Sequence, residues 1–200
     1  MYPFEPNSFA KLIDRPEILR SDLTGEHLSN CVICDSYLLD DDTLYMIEKA
    51  LINHKKFETY ETIFEFAVCL ECGGDKQGEL SEESLININE YVFKNMPAPF
   101  QRAAHLGESE TPDINRWLEQ CIIKGTPRKE IGEYEIVAAC KGKQLIADYM
   151  PFIIGDEAME EMQGLLSQKT QDELDRFVDD NFGLPPELKE LLKDKPLVLV

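Results

Sequence analysis

The chain has 200 residues, of which 43% are hydrophobic, so it can bury a sizeable core as one domain or as two small ones. Its formal net charge of −19 argues against a nucleic-acid partner, because binding to phosphates requires a basic surface. The same charge disfavours an acidic membrane surface. Nowhere do the ~18 consecutive apolar residues of a membrane-spanning helix occur. We therefore expect a cytoplasmic protein without a membrane or nucleic-acid partner.

The first 30 residues are predicted to form an N-terminal arm. Pro3, Pro6 and Asn7 favour an extended start, and two short helices are expected at 8–13 and 16–20. His27 lies four residues before a cysteine and could serve as a metal ligand. With four cysteines available for that role, we interpret His27 as a solvated loop residue.

Two CxxC pairs are the strongest chemical signal in the chain. They are Cys31 with Cys34 and Cys69 with Cys72. Two thiolates separated by two residues can hold one tetrahedral ion from a single tight turn, and a second pair completes the shell at roughly 2.3 Å per sulfur. The spacing therefore predicts a metal site with these four cysteines as ligands.

The residues after each pair suggest two turns of unequal quality. Gly73 and Gly74 follow the second pair and allow positive φ, so that backbone amides can fold over the sulfurs. Asp35 follows the first pair and tolerates that conformation less well than glycine. The second pair is therefore expected to form the better turn.

Residues 35–68 must leave the first pair and return to the second, and a β-hairpin does that. Apolar and aromatic residues alternate with polar or smaller ones on both sides of a turn predicted at 53–56. They are Tyr45, Ile47 and Leu51 before the turn, and Tyr60, Phe64, Phe66 and Val68 after it.

Residues 31–95 resemble zinc-ribbon and treble-clef domains, in which two CxxC pairs bracket antiparallel strands and a helix sometimes follows. The resemblance implies that Cys31, Cys34, Cys69 and Cys72 bind a structural Zn²⁺ ion. It implies no specific activity, because such domains serve many functions.

Two other interpretations of the cysteines remain open. Four thiolates also suit iron, as in rubredoxins, but both pairs there are usually followed by glycine, and Asp35 departs from that pattern. A thiol–disulfide role needs only one CxxC pair, normally at the start of a helix that follows a strand. Structural zinc is the favoured cofactor. Four thiolates around Zn²⁺ would give the site a charge of −2 and make a nucleic-acid partner still less suitable.

The middle of the chain is predicted to be helical. Ser81 caps a helix with Leu85, Ile88 and Val92 on its apolar face, and this helix should end before a proline-rich linker at 97–99. Thr111 and Pro112 are expected to start a second helix that contains Trp117 and Cys121 and ends near Gly125.

The last third is predicted to form a second hairpin followed by helices. Strands before and after a turn at 141–143 are followed by a helix capped by Asp156. Thr170 and Glu173 are interpreted as a capping box, and Gly183 as the end of that helix. A final helix is expected from Pro185, and the apolar residues 196–200 favour a short terminal strand.

These elements predict an α+β fold divided into four segments. Residues 1–30 form the arm, 31–96 the zinc-binding hairpin and helix, 97–130 a linker and helix, and 131–200 a second hairpin with helices. The last segment could share one core with 31–96. Cys121 and Cys140 lack the CxxC spacing and are interpreted as buried free thiols.

The sequence does not specify a biological task, and it favours a non-enzymatic one. It contains no GxSxG, HExxH, P-loop or GxGxxG motif, and a four-cysteine shell leaves the metal no open position. We expect an acidic protein with a role in protein–protein interaction or regulation, which binds a basic protein partner. The alternatives are an enzyme with a site between the two halves, and a rubredoxin-like electron carrier.

Overall fold

The computed structural model describes residues 10–57, 59–95, 113–148 and 150–182. Within these ranges the chain forms one antiparallel sheet of six strands with helices packed against it. This confirms the predicted α+β class. The strand order is β1-β5-β4-β2-β3, and β6 pairs with β4. The strands are β1 (Lys11–Asp14), β2 (Leu44–His54), β3 (Thr59–Cys69), β4 (Glu133–Lys141), β5 (Gln144–Ala147) and β6 (Phe152–Gly155).

The sheet is centred on β2 and β4, which are buried on both faces. β2 pairs with β3 on one side and with β4 on the other. On one face, the Lys49 ammonium of β2 lies 2.8 Å from the Arg20 carbonyl of the N-terminal segment. On the opposite face, Phe66 of β3 packs against Phe177 of a C-terminal helix. Because both faces are covered, seven consecutive residues of each central strand are buried, and the polar–apolar alternation of a half-exposed strand is lost.

The helices are α1 (Leu70–Glu79), α2 (Glu82–Asn95), α3 (Ile114–Trp117), α4 (Asp156–Gln163) and α5 (Gln168–Phe182). The last helices of residues 30–95 and 120–182, α2 and α5, each contact the other of these two halves. Phe182 of α5 packs on Phe64 of β3, and the Tyr91 hydroxyl of α2 donates a hydrogen bond to Glu161 of α4. No helix in the described ranges is both long and apolar enough to cross a membrane.

Both predicted hairpins are present, with differences in detail. The first turn lies beyond His54, so β2 is longer than expected. The second hairpin turns at Gly142, whose φ is +52°. Its returning strand is divided into β5, which ends at Ala147, and β6, which begins at Phe152. The peptide bond between Met150 and Pro151, just before β6, is cis.

Three helix predictions are wrong. Lys11–Asp14 is a strand that pairs with β5, and only Glu17–Leu19 forms a turn of 3-10 helix. The helix expected to reach Gly125 ends at Trp117, and Asp113 provides its cap. In the C-terminal helix, Ser167 rather than Thr170 provides the cap, and Thr170 is buried one turn inside.

The remaining predictions for helices lie partly outside the described residues. Ser81 caps α2 as expected, since its hydroxyl accepts a hydrogen bond from the Ser84 amide. Asp156 is the first residue of α4, and Gly155 holds the cap position. The proposed linker at 97–99, Thr111, Pro112, Gly183, the helix from Pro185 and the strand at 196–200 all lie outside the described ranges.

Candidate metal centre

The structure brings together the sulfur atoms of all four CxxC cysteines. The Sγ atoms of Cys31, Cys34, Cys69 and Cys72 lie within 4.8 Å of one another. The Cys34 and Cys69 sulfurs are 3.9 Å apart, far beyond the ~2.05 Å of a disulfide. Four sulfurs at ~2.3 Å around a tetrahedral ion are ~3.8 Å apart. The cluster therefore fits one tetrahedral ion.

The first pair lies on a tight turn between residues 30 and 37. The Cys31 amide donates to the Ser36 carbonyl, and the Asp35 amide donates to the Cys31 carbonyl, both at 2.9 Å. Closing this turn places Asp35 at φ +59°. The Asp35 carboxylate accepts a hydrogen bond from the Asn30 side-chain amide, which helps to stabilise this conformation. The turn expected to be the poorer one is therefore well formed without glycine.

The second pair lies at the start of a helix instead of on a turn. Cys69 is the N-cap of α1, and the Cys72 amide in the first turn donates to its Sγ at 3.4 Å. Gly73 and Gly74 lie inside α1, so the prediction that they form a positive-φ turn is wrong. Backbone amides still point at sulfur, but the helix N-terminus supplies them.

The hairpin sets the distance between the two pairs. Tyr45 at the start of β2 is paired with Cys69 at the end of β3, so the chain returns to the point from which it left. The Val32 amide donates to the Ala67 carbonyl, and the Cys69 amide donates to the Cys31 sulfur at 3.4 Å. These two bonds fix the turn against the edge of β3 and bring the sulfurs into contact.

The four thiols differ in their surroundings. Hydrogen bonds from the Ser36 hydroxyl and backbone lower the pKa of Cys34 to about 6, because they stabilise the thiolate. Burial raises the pKa of Cys69, and burial with the neighbouring Cys69 sulfur raises the pKa of Cys72. Cys31 is buried and Cys34 is exposed. A bound cation would stabilise the thiolate forms that burial disfavours at Cys69 and Cys72.

The donor set suits a soft tetrahedral cation such as Zn²⁺. Within the described residues, the only group of three or more cysteine, histidine or acidic side chains close enough to hold an ion is this one. Sulfur ligands select zinc, iron or copper over calcium and magnesium. Four of them would fill the shell of a zinc ion and leave no position for a substrate.

The other residues considered as ligands lie elsewhere. Cys121 and Cys140 are buried free thiols, as expected, and burial raises the pKa of Cys140 to about 12. His27 pairs with Arg20 across a small loop and does not belong to the sulfur cluster. Burial lowers its pKa, so it is less solvated than predicted.

Sequence reasoning missed Ser36, whose hydroxyl lies 3.1 Å from the Cys34 sulfur. The available signal was a hydroxyl close in sequence to a predicted ligand, since metal ligands are usually hydrogen bonded to neighbouring polar groups.

No protein-family model, no curated protein and no solved structure matches the chain.

Proposed function

We propose that this is a zinc-stabilised interaction protein, in which the ion fixes the base of the first hairpin and the acidic surface binds a basic protein partner. The observation that supports a bound metal ion is the four-sulfur cluster. The order of turn, hairpin and helix, with the second pair opening the helix, resembles treble-clef domains more than zinc ribbons. It also favours zinc over a rubredoxin-like iron site, where both pairs lie on turns.

A structural role for the ion follows from what the ligands connect. Cys31 and Cys34 belong to a loop, Cys69 ends an edge strand and Cys72 begins a helix. Helix α1 buries no residue fully, so few apolar contacts attach it to the sheet. A shell of four protein sulfurs joins all three elements and leaves no site for catalysis.

The acidic surface supports the choice of partner. Formal charge is −19 over the chain, and helices on both halves carry exposed carboxylates. Such a surface attracts a basic partner through long-range electrostatics and repels nucleic acid. The exposed acidic residues of α1, α2, α4 and α5 are Glu71, Asp75, Glu79, Glu82, Glu83, Glu90, Glu157, Glu160, Glu161, Asp172, Asp175, Asp179 and Asp180.

Elemental analysis of purified protein tests the metal. We expect one zinc per chain, and removal of the ion by a chelator should lower the melting temperature. A preparation that folds and melts identically without stoichiometric metal would contradict a structural ion.

The second candidate is an iron-binding electron carrier. The exposed Cys34 favours it, because a ligand at the protein surface gives electrons a path to the ion. The colour of the purified protein distinguishes iron from zinc. A colourless protein excludes it.

Charge-neutral variants test the partner. We expect binding to immobilised basic proteins that weakens as salt rises, because salt screens exposed charges. Neutralising α5 with Asp172→Asn, Asp175→Asn and Asp179→Asn is compared with neutralising α2 with Glu82→Gln, Glu83→Gln and Glu90→Gln. Weaker binding in one of the two variants identifies the contacting face. Equal binding by both variants and the parent would argue against an electrostatic interface on these helices.

A further inference from the structure

A small cavity in the second half lies at the place that corresponds to the four-sulfur cluster of the first half. Its volume is about 10 Å³, and its lining includes Cys121, Lys124, Gly155 and Ala158. These residues occupy the positions that Cys31, Cys34, Cys69 and Cys72 occupy in the first half, as the backbone shows.

The loop that carries Cys121 is a copy of the turn that carries the first CxxC pair. The Cys121 amide donates to the Thr126 carbonyl and the Gly125 amide donates to the Cys121 carbonyl, both at 2.9 Å, which are the bonds and distances of residues 31–36. Gly125 has φ +69° where Asp35 has +59°. Lys124 therefore stands where Cys34 stands in the first turn.

The strands and the following helix correspond as well. Tyr134 is paired with Gly155, as Tyr45 is with Cys69. The Gly155 amide donates to the Cys121 sulfur at 3.4 Å, the distance of the bond from the Cys69 amide to the Cys31 sulfur. Gly155 caps α4 as Cys69 caps α1, which places Ala158 where Cys72 lies.

The correspondence continues into the second helix of each half. The Ser81 and Ser167 hydroxyls cap α2 and α5 and lie 2.7 Å apart. The Ser81 amide donates to the Thr170 hydroxyl, and the Ser167 amide donates to the Ser84 hydroxyl. This reciprocal pattern is what two copies related by a twofold axis produce. The sequences agree too, as Gly78-Glu79-Leu80-Ser81 corresponds to Gly164-Leu165-Leu166-Ser167.

The turn by itself would not establish a repeat. Residues 21–26 close with the same two backbone bonds, and Gly25 has φ +73°, yet no strand-to-helix junction with a bond to Ser21 follows there. The repeat is defined by four features together: the turn, the paired strands, the capped helix and the reciprocal serine caps. Within the described ranges, only residues 30–95 and 120–182 contain all four.

In the second half, the positive charge at the position of the proposed ion comes from a lysine. The Lys124 ammonium is hydrogen bonded to the Glu161 carboxylate and lies 3.5 Å from Glu157. These contacts, first the hydrogen bond to Glu161, raise the pKa of Lys124. The positions that correspond to Glu157 and Glu161 in α1 are Glu71 and Asp75, so the first half carries acidic residues at the same places.

We infer that residues 120–182 are a metal-free copy of the unit formed by residues 30–95, and that the cavity between Cys121 and Ala158 binds Zn²⁺ or Co²⁺ once the missing thiolates are supplied. The inference rests on the proposed role of the first cluster as a metal site. It assigns the second half a latent metal site in which Lys124 stands at a ligand position.

The simplest test supplies two thiolates with Lys124→Cys and Ala158→Cys, which with Cys121 give three sulfurs around the cavity. Cobalt titration, read from the thiolate-to-cobalt absorption, should show one equivalent for the parent chain and two for this variant. The matched control, Lys124→Ser with Ala158→Ser, should remain at one. A folded Cys variant that binds no more cobalt than the Ser control overturns the inference.

A four-thiolate variant adds Gly155→Cys. A Cβ at this position would lie 3.0 Å from a side-chain carbon of Ile131, so Ile131→Ala accompanies it to make room. We expect the second equivalent to bind more tightly than in the three-thiolate variant. Equal affinity would show that residue 155 does not reach the ion, and would contradict the assigned correspondence with Cys69.

Comparing the cobalt stoichiometry of the parent chain with that of the three-thiolate variant separates this inference from the proposed function. If the first cluster is not a metal site, the parent chain binds no cobalt, whereas the new site still binds one equivalent. If the second half is not a copy, the parent binds one equivalent and the variant gains none.

Discussion

The two halves of the molecule use one backbone plan and stabilise it differently. In the first half, α1 contains Gly73, Gly74 and Gly78 and buries no residue fully. In the second half, α4 buries Met159 and Met162 at the corresponding place. Burying each methionine contributes about 1.5–3 kcal/mol, whereas each helical glycine costs about 0.5–1 kcal/mol.

The strands show the same contrast. β3 is an edge strand whose first three residues are exposed, whereas every residue of β6 is buried. The cysteine cluster therefore lies in the half with the smaller apolar contribution. Under the proposed function, an ion that cross-links three elements takes the place of several kcal/mol of side-chain burial in the first half, and the more deeply buried second half needs no ion.

Loss of a cluster cysteine should have the largest effect. We expect Cys69→Ser to release the metal and destabilise the protein by a large part of the ~10–16 kcal/mol that structural zinc contributes in small domains. Cys121→Ser removes the corresponding sulfur-bearing residue of the other half and should keep full metal content. Metal analysis and thermal melting measure both. Metal loss from Cys121→Ser with retention in Cys69→Ser would reverse the assignment of the two halves.

Hydrogen exchange after chelation sharpens this contrast. Amides of residues 31–36 and α1 should lose protection first, while those of residues 121–126 and α4 keep theirs. Equal loss in both halves would mean that the ion supports the whole sheet rather than its own half.

Replacement of Glu48 tests the centre of the sheet, where the halves meet. Glu48 is paired with Val137 and is buried, and its Oε2 atom has no hydrogen-bond partner among the described residues. Burial, followed by the charge of Glu135, raises its pKa. The folded state therefore keeps a proton that the unfolded state releases above pH ~4.3, so stability falls as pH rises through this window.

Glu48→Gln cannot ionise and should remove this loss. We expect a gain in the free energy of unfolding at pH 7 and a smaller gain at pH 4, because the raised pKa of Glu48 costs stability only where the unfolded carboxyl is ionised. Denaturant unfolding at several pH values measures it. Glu90→Gln on the exposed face of α2 is the control and should show no such trend. A constant difference across pH would contradict the raised pKa.

The reciprocal serine caps can be tested by the same substitution in each half. Ser81→Ala and Ser167→Ala should each cost about 1 kcal/mol, the usual value of an N-cap. Because the two hydroxyls lie 2.7 Å apart, the double variant should differ from the sum by about 0.5 kcal/mol or more. Strictly additive costs, measured by chemical denaturation, would mean that the caps act independently and that the helix ends are not coupled.

The positive φ of Gly125 allows a test of the turn in the second half. Gly125→Ala should cost about 1–2 kcal/mol from backbone strain alone, because its Cβ would meet no atom within 4 Å. Gly74→Ala is the matched control, since it is helical and equally open, and it should gain about 0.5–1 kcal/mol. Similar melting temperatures for both variants would show that the turn in the second half relaxes to another conformation.

The cysteine spacing was enough to predict which sulfurs come together, because CxxC pairs restrict geometry locally. It could not distinguish a turn from a helix N-terminus at Cys69, since Gly73 and Gly74 favour turns when considered alone and the helix depends on its packing. Lys11–Asp14 was mistaken for a helix because its pairing with β5 comes from residues more than a hundred positions away.

The repeat was missed for a different reason. Its most visible residues, the cysteines, differ between the halves, and only Cys121 remains of four. The signal that could have revealed it is the paired sequence around Ser81 and Ser167, together with Tyr45 and Tyr134 at the start of corresponding strands. The capping box assigned to Thr170 hid that signal, because it shifted the predicted start of α5.

The contacts that α2 and α5 each make with the opposite half have a consequence for how the protein unfolds. Phe64 and Phe66 of β3 are covered by Phe177 and Phe182 from the far end of the chain, and α2 is bonded to α4 through Tyr91. The two halves are therefore interlocked, and expressing either one alone would leave an aromatic surface in water.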